Sequence, residues 1–332
     1  MADDERMTVA VTGPTGTFGF GLLPLLEADD RIGRVVGVAR RPFDPAEHGW
    51  TKLVYRRGDV RDQDLLEEAF ADADVVVHLA FLVAGADGSE TARAINVEGT
   101  GNAFRAAVAV GARRFVYASS ASAYGFHADN PIGIDEDWPT RPAEHLFYAQ
   151  EKSELEEALA KLAAEHPAID LYLLRPPVVI GPHMIGGKSR LAERLVPPVL
   201  AAARAAGRLP VPIPVPTPDL PLQVVHEADV GSALVQCIVG AGPPGAYNIA
   251  ADGILTGADI ARELGLRPVT LGSGLLERTA RRVAALPVAD KVTGWAEAVS
   301  HPVILDTAKA KRDLGWTPRY TAIEALRETL GV

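Results

Sequence analysis

The sequence predicts an α/β chain in which a doubly wound parallel sheet is followed by a smaller, mixed C-terminal lobe. Three observations point there. Short β-branched runs alternate with helical patterns through the first half of the chain. A glycine-punctuated turn separates the first such run from the first helical pattern. Beyond Pro176 the character changes to proline-rich and shorter helical segments. The boundary is expected near residue 180, with 1–180 forming the sheet domain and 181–332 mainly the second lobe, some segments of which return to the first domain.

The strands are expected, in order, at Thr8–Val11, Arg34–Val38, Leu53–Tyr55, Val75–Leu79, Phe115–Ala118 and Leu171–Leu174. Each is a short apolar run, the pattern of a strand covered on both faces. Helical periodicity between them predicts Phe18–Glu27, Gln63–Phe70, Thr91–Val110 and Phe147–Glu165. The second half predicts shorter helices over 192–206, 227–239, 257–264, 274–285, 307–314 and 321–330. Residues 209–221 carry a proline at nearly every second position. That forbids a helix and favours an extended loop packed against the second lobe.

Composition narrows the function classes. The chain has 332 residues, 48% of them hydrophobic, enough for a large core. A net charge of -10 argues against a nucleic-acid partner, which needs a basic face. The single cysteine, Cys237, excludes an internal disulfide and a thiolate metal cage, and no metal-ligand constellation is evident. The acidic start Met-Ala-Asp-Asp-Glu-Arg is unlike a signal peptide, and no apolar run is long enough to span a membrane. A cytoplasmic protein is expected.

Residues 8–19 read Thr-Val-Ala-Val-Thr-Gly-Pro-Thr-Gly-Thr-Phe-Gly. Gly13 permits a tight turn, Gly16 lets backbone approach a pyrophosphate, and Gly19 lets the helix pack closely. The helix start then offers free N–H groups and a positive dipole end to an anion. This is the Rossmann arrangement for a dinucleotide. The second strand ends Val38-Ala39-Arg40-Arg41, with no carboxylate to grip a ribose 2′-hydroxyl. Two guanidinium groups there suit a 2′-phosphate, so NADP(H) is favoured, with NAD(H) the alternative.

Tyr148 and Lys152 lie four residues apart in a predicted helix, which stacks them on one face. A free phenol titrates near pH 10, and an adjacent ammonium favours phenolate. Tyr148 can then exchange a proton with an alcohol or carbonyl oxygen as hydride moves.

The Gly-x-x-Gly-x-x-Gly spacing and the Tyr148/Lys152 pair resemble the extended branch of the short-chain dehydrogenase/reductase superfamily, the NAD-dependent epimerase/dehydratase family. So do Gly58-Asp59-Val60, His78-Leu79-Ala80, Asn96-Val97-Glu98-Gly99-Thr100 and the fifth-strand motif Tyr117 to Gly125. The resemblance covers nearly the whole chain and implies a catalytic Ser120, Tyr148 and Lys152. Ser119 and Ser122 compete for the serine's place, and the lysine is implied to hydrogen-bond the nicotinamide ribose. The expected cofactor set is Gly13, Thr15, Gly16, Thr17, Phe18 and Gly19 at the turn, with Arg40, Arg41, Asp59, Val60, Leu79, Ala80 and Asn96. Pro176, Val178, Tyr148 and Lys152 complete it. Phe81, Leu82, Ser122 and His183 are expected on the substrate side, with Phe81, Leu82 and Val83 serving equally well as core; His226 is a further candidate. A homodimer through the helices at 91–110 and 147–165 is implied as well.

Three departures from the resemblance matter. The position three residues after Arg175, an asparagine in the sugar-nucleotide enzymes, is Val178. Their sugar-diphosphate-binding arginine is matched here by Leu222. Ala121-Ser122 replaces the acidic pair of a 4,6-dehydratase. The first expectation is therefore hydride transfer between nicotinamide C4 and the carbonyl or alcohol carbon of a moderately apolar small molecule. An epimerase with transient cofactor reduction is the alternative, and a non-catalytic dinucleotide sensor is the third.

Overall fold

The structure, a computed structural model, describes residues 6–83, 90–144, 146–184, 214–218, 220–271 and 301–331. The chain opens with β1 (Met7–Thr12), α1 (Thr17–Ala28), β2 (Ile32–Ala39) and β3 (Leu53–Arg57). Next come α2 (Gln63–Ala69), β4 (Val75–His78), α3 (Glu90–Arg93), α4 (Gly99–Ala109) and β5 (Arg114–Ala118). Then follow β6 (Ile132–Ile134), α5 (Phe147–Glu165), β7 (Asp170–Arg175) and β8 (Val178–Ile180). The second half adds β9 (Pro214–Pro218), β10 (Val224–His226), α6 (Glu227–Val239), β11 (Gly245–Asn248), α7 (Gly257–Glu263) and β12 (Arg267–Leu271). It ends with β13 (Ile304–Leu305), α8 (Ala308–Asp313) and α9 (Ala322–Leu330).

Seven strands form one sheet in the order β11-β7-β5-β4-β1-β2-β3, with every pairing parallel. Alternation along the strands feeds two cores. Val9 and Val11 join Leu22, Leu26, Leu234 and Ile238 beneath α1 and α6. Ala10, Val36 and Val76 join Phe104, Phe115, Leu155 and Leu159 beneath α2, α4 and α5. Helices on both faces make the sheet doubly wound, as predicted. α6 and β11 lie beyond residue 180 yet belong to these layers. A separate cluster joins Ile180, Val224, Leu255, Ala325 and Leu326.

Two expectations change. The helix expected over 91–110 is interrupted: a π-helical segment, Ala94–Glu98, lies between α3 and α4. The proline-rich run is not wholly a loop, because 214–218 forms β9 and pairs in parallel with β12. The prolines fall at 214, 216 and 218, so the missing N–H groups all lie along one edge. Val215 and Thr217 keep their N–H groups for the other edge. The helices expected at 192–206 and 274–285, and the start of that proline run, lie outside the described residues. Among the described residues no helix is long and apolar enough to cross a membrane.

Candidate active site

The carboxyl ends of β1, β2, β4 and β5 open into a cleft of about 520 Å³, where ligands sit in open parallel sheets. Its floor is the turn after β1: Gly13, Thr15, Gly16, Thr17 and Phe18 all line it. Gly13 has φ +69°, and a Cβ there would lie 2.7 Å from the Ala80 nitrogen. Only glycine lets β1 turn this close to the end of β4. Gly16 caps α1 without a side-chain hydrogen bond, leaving the first-turn N–H groups available to an anion. Gly19 does not line the cleft; a Cβ there would lie 2.0 Å from the Pro14 oxygen, so it seats α1 on the turn.

Arg40, Arg41 and Val60 line one end of the cleft. Leu79, Ala80, Phe81, Leu82, Tyr148 and Lys152 also line it. The turn geometry and these walls suit an extended dinucleotide.

A buried hydrogen-bond relay braces the wall. The His78 ring lies 2.8 Å from Thr12 Oγ1 through Nδ1 and 3.0 Å from Thr100 Oγ1 through Nε2. Thr100 donates to the Asn96 carbonyl at 2.5 Å, so it must accept from His78 Nε2–H. Thr12 then donates to Nδ1 and accepts from the Ala80 N–H at 3.3 Å. One tautomer satisfies every group. Burial, helped by the nearby Lys152 charge, lowers the His78 pKa to about 3, so the ring is neutral.

Asn96 was expected at the cofactor. It is instead fully buried in the π-helical turn, where its carboxamide accepts from Leu82 N–H at 2.7 Å and donates to Leu82 O at 3.0 Å. Its other N–H goes to Glu151 Oε2 at 2.7 Å. Asn96 therefore holds the strand-like segment that carries Phe81 and Leu82 into the cleft.

α5 presents Tyr148 and Lys152 one turn apart, as the spacing predicted. The Tyr148 hydroxyl is hydrogen-bonded with Ser120, which opposes the upward pull of burial on its pKa. Lys152 is 3% exposed; its Nζ donates to Ala118 O at 2.6 Å and to Tyr117 Oη at 3.2 Å. It also lies 3.9 Å from the Phe81 ring centroid and 5.9 Å from that of Tyr148. Burial lowers its pKa to about 7 against the opposing pull of Glu156 and Glu151. The expected drop in the Tyr148 pKa is not found: the ammonium turns towards the β5 carbonyl, and burial dominates at the phenol.

Ser120 accepts from Ser122 N–H at 3.2 Å and from Ser122 Oγ at 2.9 Å. Ser119 lines the cleft, but its hydroxyl donates to Glu156. That leaves Ser120 as the partner of Tyr148, with Ser122 bonded to it; neither Ser120 nor Ser122 lines the cleft itself.

Sequence reasoning missed Glu156. Its carboxylate accepts from Arg175 Nη2 at 2.6 Å and Nε at 3.0 Å, and Arg175 Nη1 reaches Tyr124 Oη at 2.7 Å. The signal was present: Glu156 follows Lys152 by four residues, on the buried face of the same helix.

Other expected residues fall elsewhere. Asp59 lies outside the cleft lining and is held by Arg61 at 2.8 Å. Pro176 O accepts from Ala121 N–H at 2.9 Å, and Val178 begins β8 with its side chain exposed; neither lines the cleft. His183 was expected at the substrate. It is drawn instead to the glycine turn: its ring stacks on Phe20 at 4.3 Å, and Glu227 accepts from its Nδ1 at 2.6 Å. Its carbonyl accepts from Thr17 at 2.8 Å, and the next residue, Met184, lines the cleft. His226 caps α6 and lies 4.1 Å from the Tyr320 ring, outside the cleft lining. Leu222 pairs with Leu255 and packs on the C-terminal cluster. Among the described residues no group of three His, Cys, Asp or Glu side chains could hold a metal.

The model of the NAD dependent epimerase/dehydratase family matches residues 9–250. An uncharacterized protein of Mycobacterium tuberculosis is 29% identical over 324 residues, covering 96% of this chain and 81% of that protein. Among solved structures, the Bordetella bronchiseptica enzyme WbmG in complex with NAD superposes with TM-score 0.71 at 21% identity, covering 100% of this chain and 95% of that one. The UDP-glucose 4-epimerase of Thermotoga maritima, solved with UDP-glucose, gives TM-score 0.73 at 20% identity and 98% coverage of both chains. At such identities the likeness is one of fold.

Proposed function

Since this chain belongs to the NAD dependent epimerase/dehydratase family, we propose that it is an oxidoreductase in which Tyr148 exchanges a proton with the oxygen of a moderately apolar substrate while hydride moves to or from nicotinamide. The observation that carries this reading is the half-buried Tyr148 at the cleft wall, hydrogen-bonded with Ser120 and followed by Lys152 one turn along the same helix. The bound nicotinamide supplies or accepts the hydride at C4. Tyr148 is the acid in the reducing direction and the base in the oxidising one. Ser120 donates to the substrate oxygen and stabilises charge on it, while Lys152 holds the ribose. The glycine turn and the start of α1 receive the pyrophosphate.

Arg40 and Arg41 favour NADP(H) over NAD(H), because no carboxylate ends β2. An apolar substrate follows from Phe81 and Leu82 in the cleft wall, and from Leu222, which packs into a core where a diphosphate would need a cation. A homodimer through α4 and α5 and a cytoplasmic location belong to the same reading, as does a division of labour between residues 1–180 and 181–332.

The second reading is an epimerase that reduces and reoxidises its cofactor within one cycle. It is favoured by the family and by neighbours such as the Thermotoga maritima epimerase. The two readings separate on net cofactor change. A substrate library is incubated in parallel with NADPH and with NADP+ or NAD+, and followed by near-ultraviolet absorbance and by mass spectrometry. The reductase reading expects stoichiometric loss of NADPH with a product two hydrogens heavier. Isomerised product formed with the oxidised cofactor and no net change in its oxidation state contradicts it and supports the epimerase.

A further inference from the structure

Arg40 and Arg41 are not the only guanidinium groups at their end of the cleft. Tyr55 and Arg57 lie two residues apart on β3, so both side chains leave the same face of the strand. The register sets Tyr55 opposite Gly37 and Arg57 opposite Ala39, at the end of β2. There they hold three successive carbonyls. The Tyr55 hydroxyl donates to Ala39 O at 3.0 Å and also to Arg41 O, while Arg57 Nε donates to Arg40 O at 2.9 Å. The Gly58 N–H adds a second bond to Ala39 O at 3.0 Å.

The turn is thus fixed through its main chain, and the side chains of Arg40, Arg41 and Arg57 are exposed. Among the described residues none of these three forms a salt bridge with a carboxylate. Arg56, between Tyr55 and Arg57, leaves the other face and pairs with Glu68 at 2.9 Å. Asp59, which feels the Arg40 charge, is taken by Arg61 through contacts of 2.8 and 3.1 Å. Arg57 therefore spends one N–H on positioning Arg40 and keeps the donors on its two terminal nitrogens beside that residue.

We propose that Arg57 is a specificity-determining residue for the 2′-phosphate of the cofactor, completing with Arg40 and Arg41 a three-guanidinium anion site on the rim between β2 and β3. This rests on the NADP(H) reading above. A phosphomonoester dianion presents three oxygens, and a planar fork already anchored at Nε meets them with little further ordering. A purely structural Arg57, one that only holds the turn, would serve NAD and NADP alike, because both share the adenosine that the turn faces.

The test is calorimetric titration of the full chain with NADP+, NAD+ and adenosine 2′,5′-bisphosphate, comparing wild type with Arg57→Met and Tyr55→Phe. Arg57→Met is expected to weaken NADP+ and the bisphosphate tenfold or more, about 1.4 kcal/mol, with NAD+ unchanged within about twofold. Tyr55→Phe, which loosens the turn and keeps the charge, is expected to weaken both dinucleotides alike. Equal weakening of both dinucleotides by Arg57→Met, or no change in either, overturns the assignment while leaving a wild-type preference for NADP+ standing. The same selective loss in Tyr55→Phe also overturns it, by tracing selectivity to turn geometry. A wild type that binds NADP+ and NAD+ equally removes the cofactor reading itself, and the assignment with it.

Discussion

Lys152 is a charge kept where burial opposes it. Its pKa of about 7 reflects burial first, then the opposing pull of Glu156 and Glu151. Below about pH 7 the ammonium persists and can hold the cofactor ribose; above it that charged donor fades. We therefore expect kcat/KM for the reducing direction to fall as pH rises through about 7, measured with NADPH and a substrate found in the library. A flat profile from pH 6 to 9 would contradict this role. His78 makes a stability prediction of the same kind. Its folded pKa of about 3 lies below the ordinary value of 6.5, so its contribution is complete above 6.5 and is lost as pH falls towards 3. One group of this type costs about 1.4 kcal/mol per pH unit in that window. Urea unfolding of His78→Gln should show a shallower loss of stability between pH 6 and 4 than wild type; identical slopes would refute a neutral buried ring. At this scale the sequence was legible where spacing alone sets the geometry. Tyr148 and Lys152 share a helix face by periodicity, and Gly13 and Gly16 sit where the turn needs them. The partners that engage His183 and Asn96, Glu227 and Leu82, were not legible because they lie 44 and 14 residues away.

The elements position the site through close approaches that only small residues allow. α1 and α6 cross at Gly21 and Gly231, where a Cβ on Gly231 would lie 2.0 Å from the Gly21 oxygen. Gly231→Ala should cost about 1–3 kcal/mol through overpacking, read as a lower urea midpoint. An unchanged midpoint would show that the helices can separate freely. The central strands of the first half were legible because both faces are covered and their runs are largely apolar; β3, at the sheet edge, is apolar only at its start. The π-helical turn before α4 was not, since no proline or glycine marks its start; yet that turn carries Asn96 to Leu82. β9 was also hidden: proline argues against strands, and only its regular alternation at 214, 216 and 218 leaves one pairing edge intact.

At the scale of the molecule, net acidity and a basic rim coexist. A chain of net charge -10 concentrates Arg40, Arg41 and Arg57 beside the cleft, which is where an anionic cofactor would enter. The opposite end of the cleft is walled by Phe81 and Leu82, held by Asn96 and braced through the His78 relay. Most of the fold was legible because six of the seven parallel strands, and the helices that cross between most of them, carry their own apolar patterns; β11 was not foreseen. The substrate side was less so, because it depends on segments that meet the sheet only through tertiary packing. The central claim is that Tyr148 moves a proton as hydride moves, and it is tested most directly by comparing Tyr148→Phe with wild type in NADPH-dependent turnover, with NADPH affinity measured for both. Turnover is expected to fall about 10²-fold or more with affinity nearly unchanged; undiminished turnover in the variant would contradict a proton-transfer role for Tyr148.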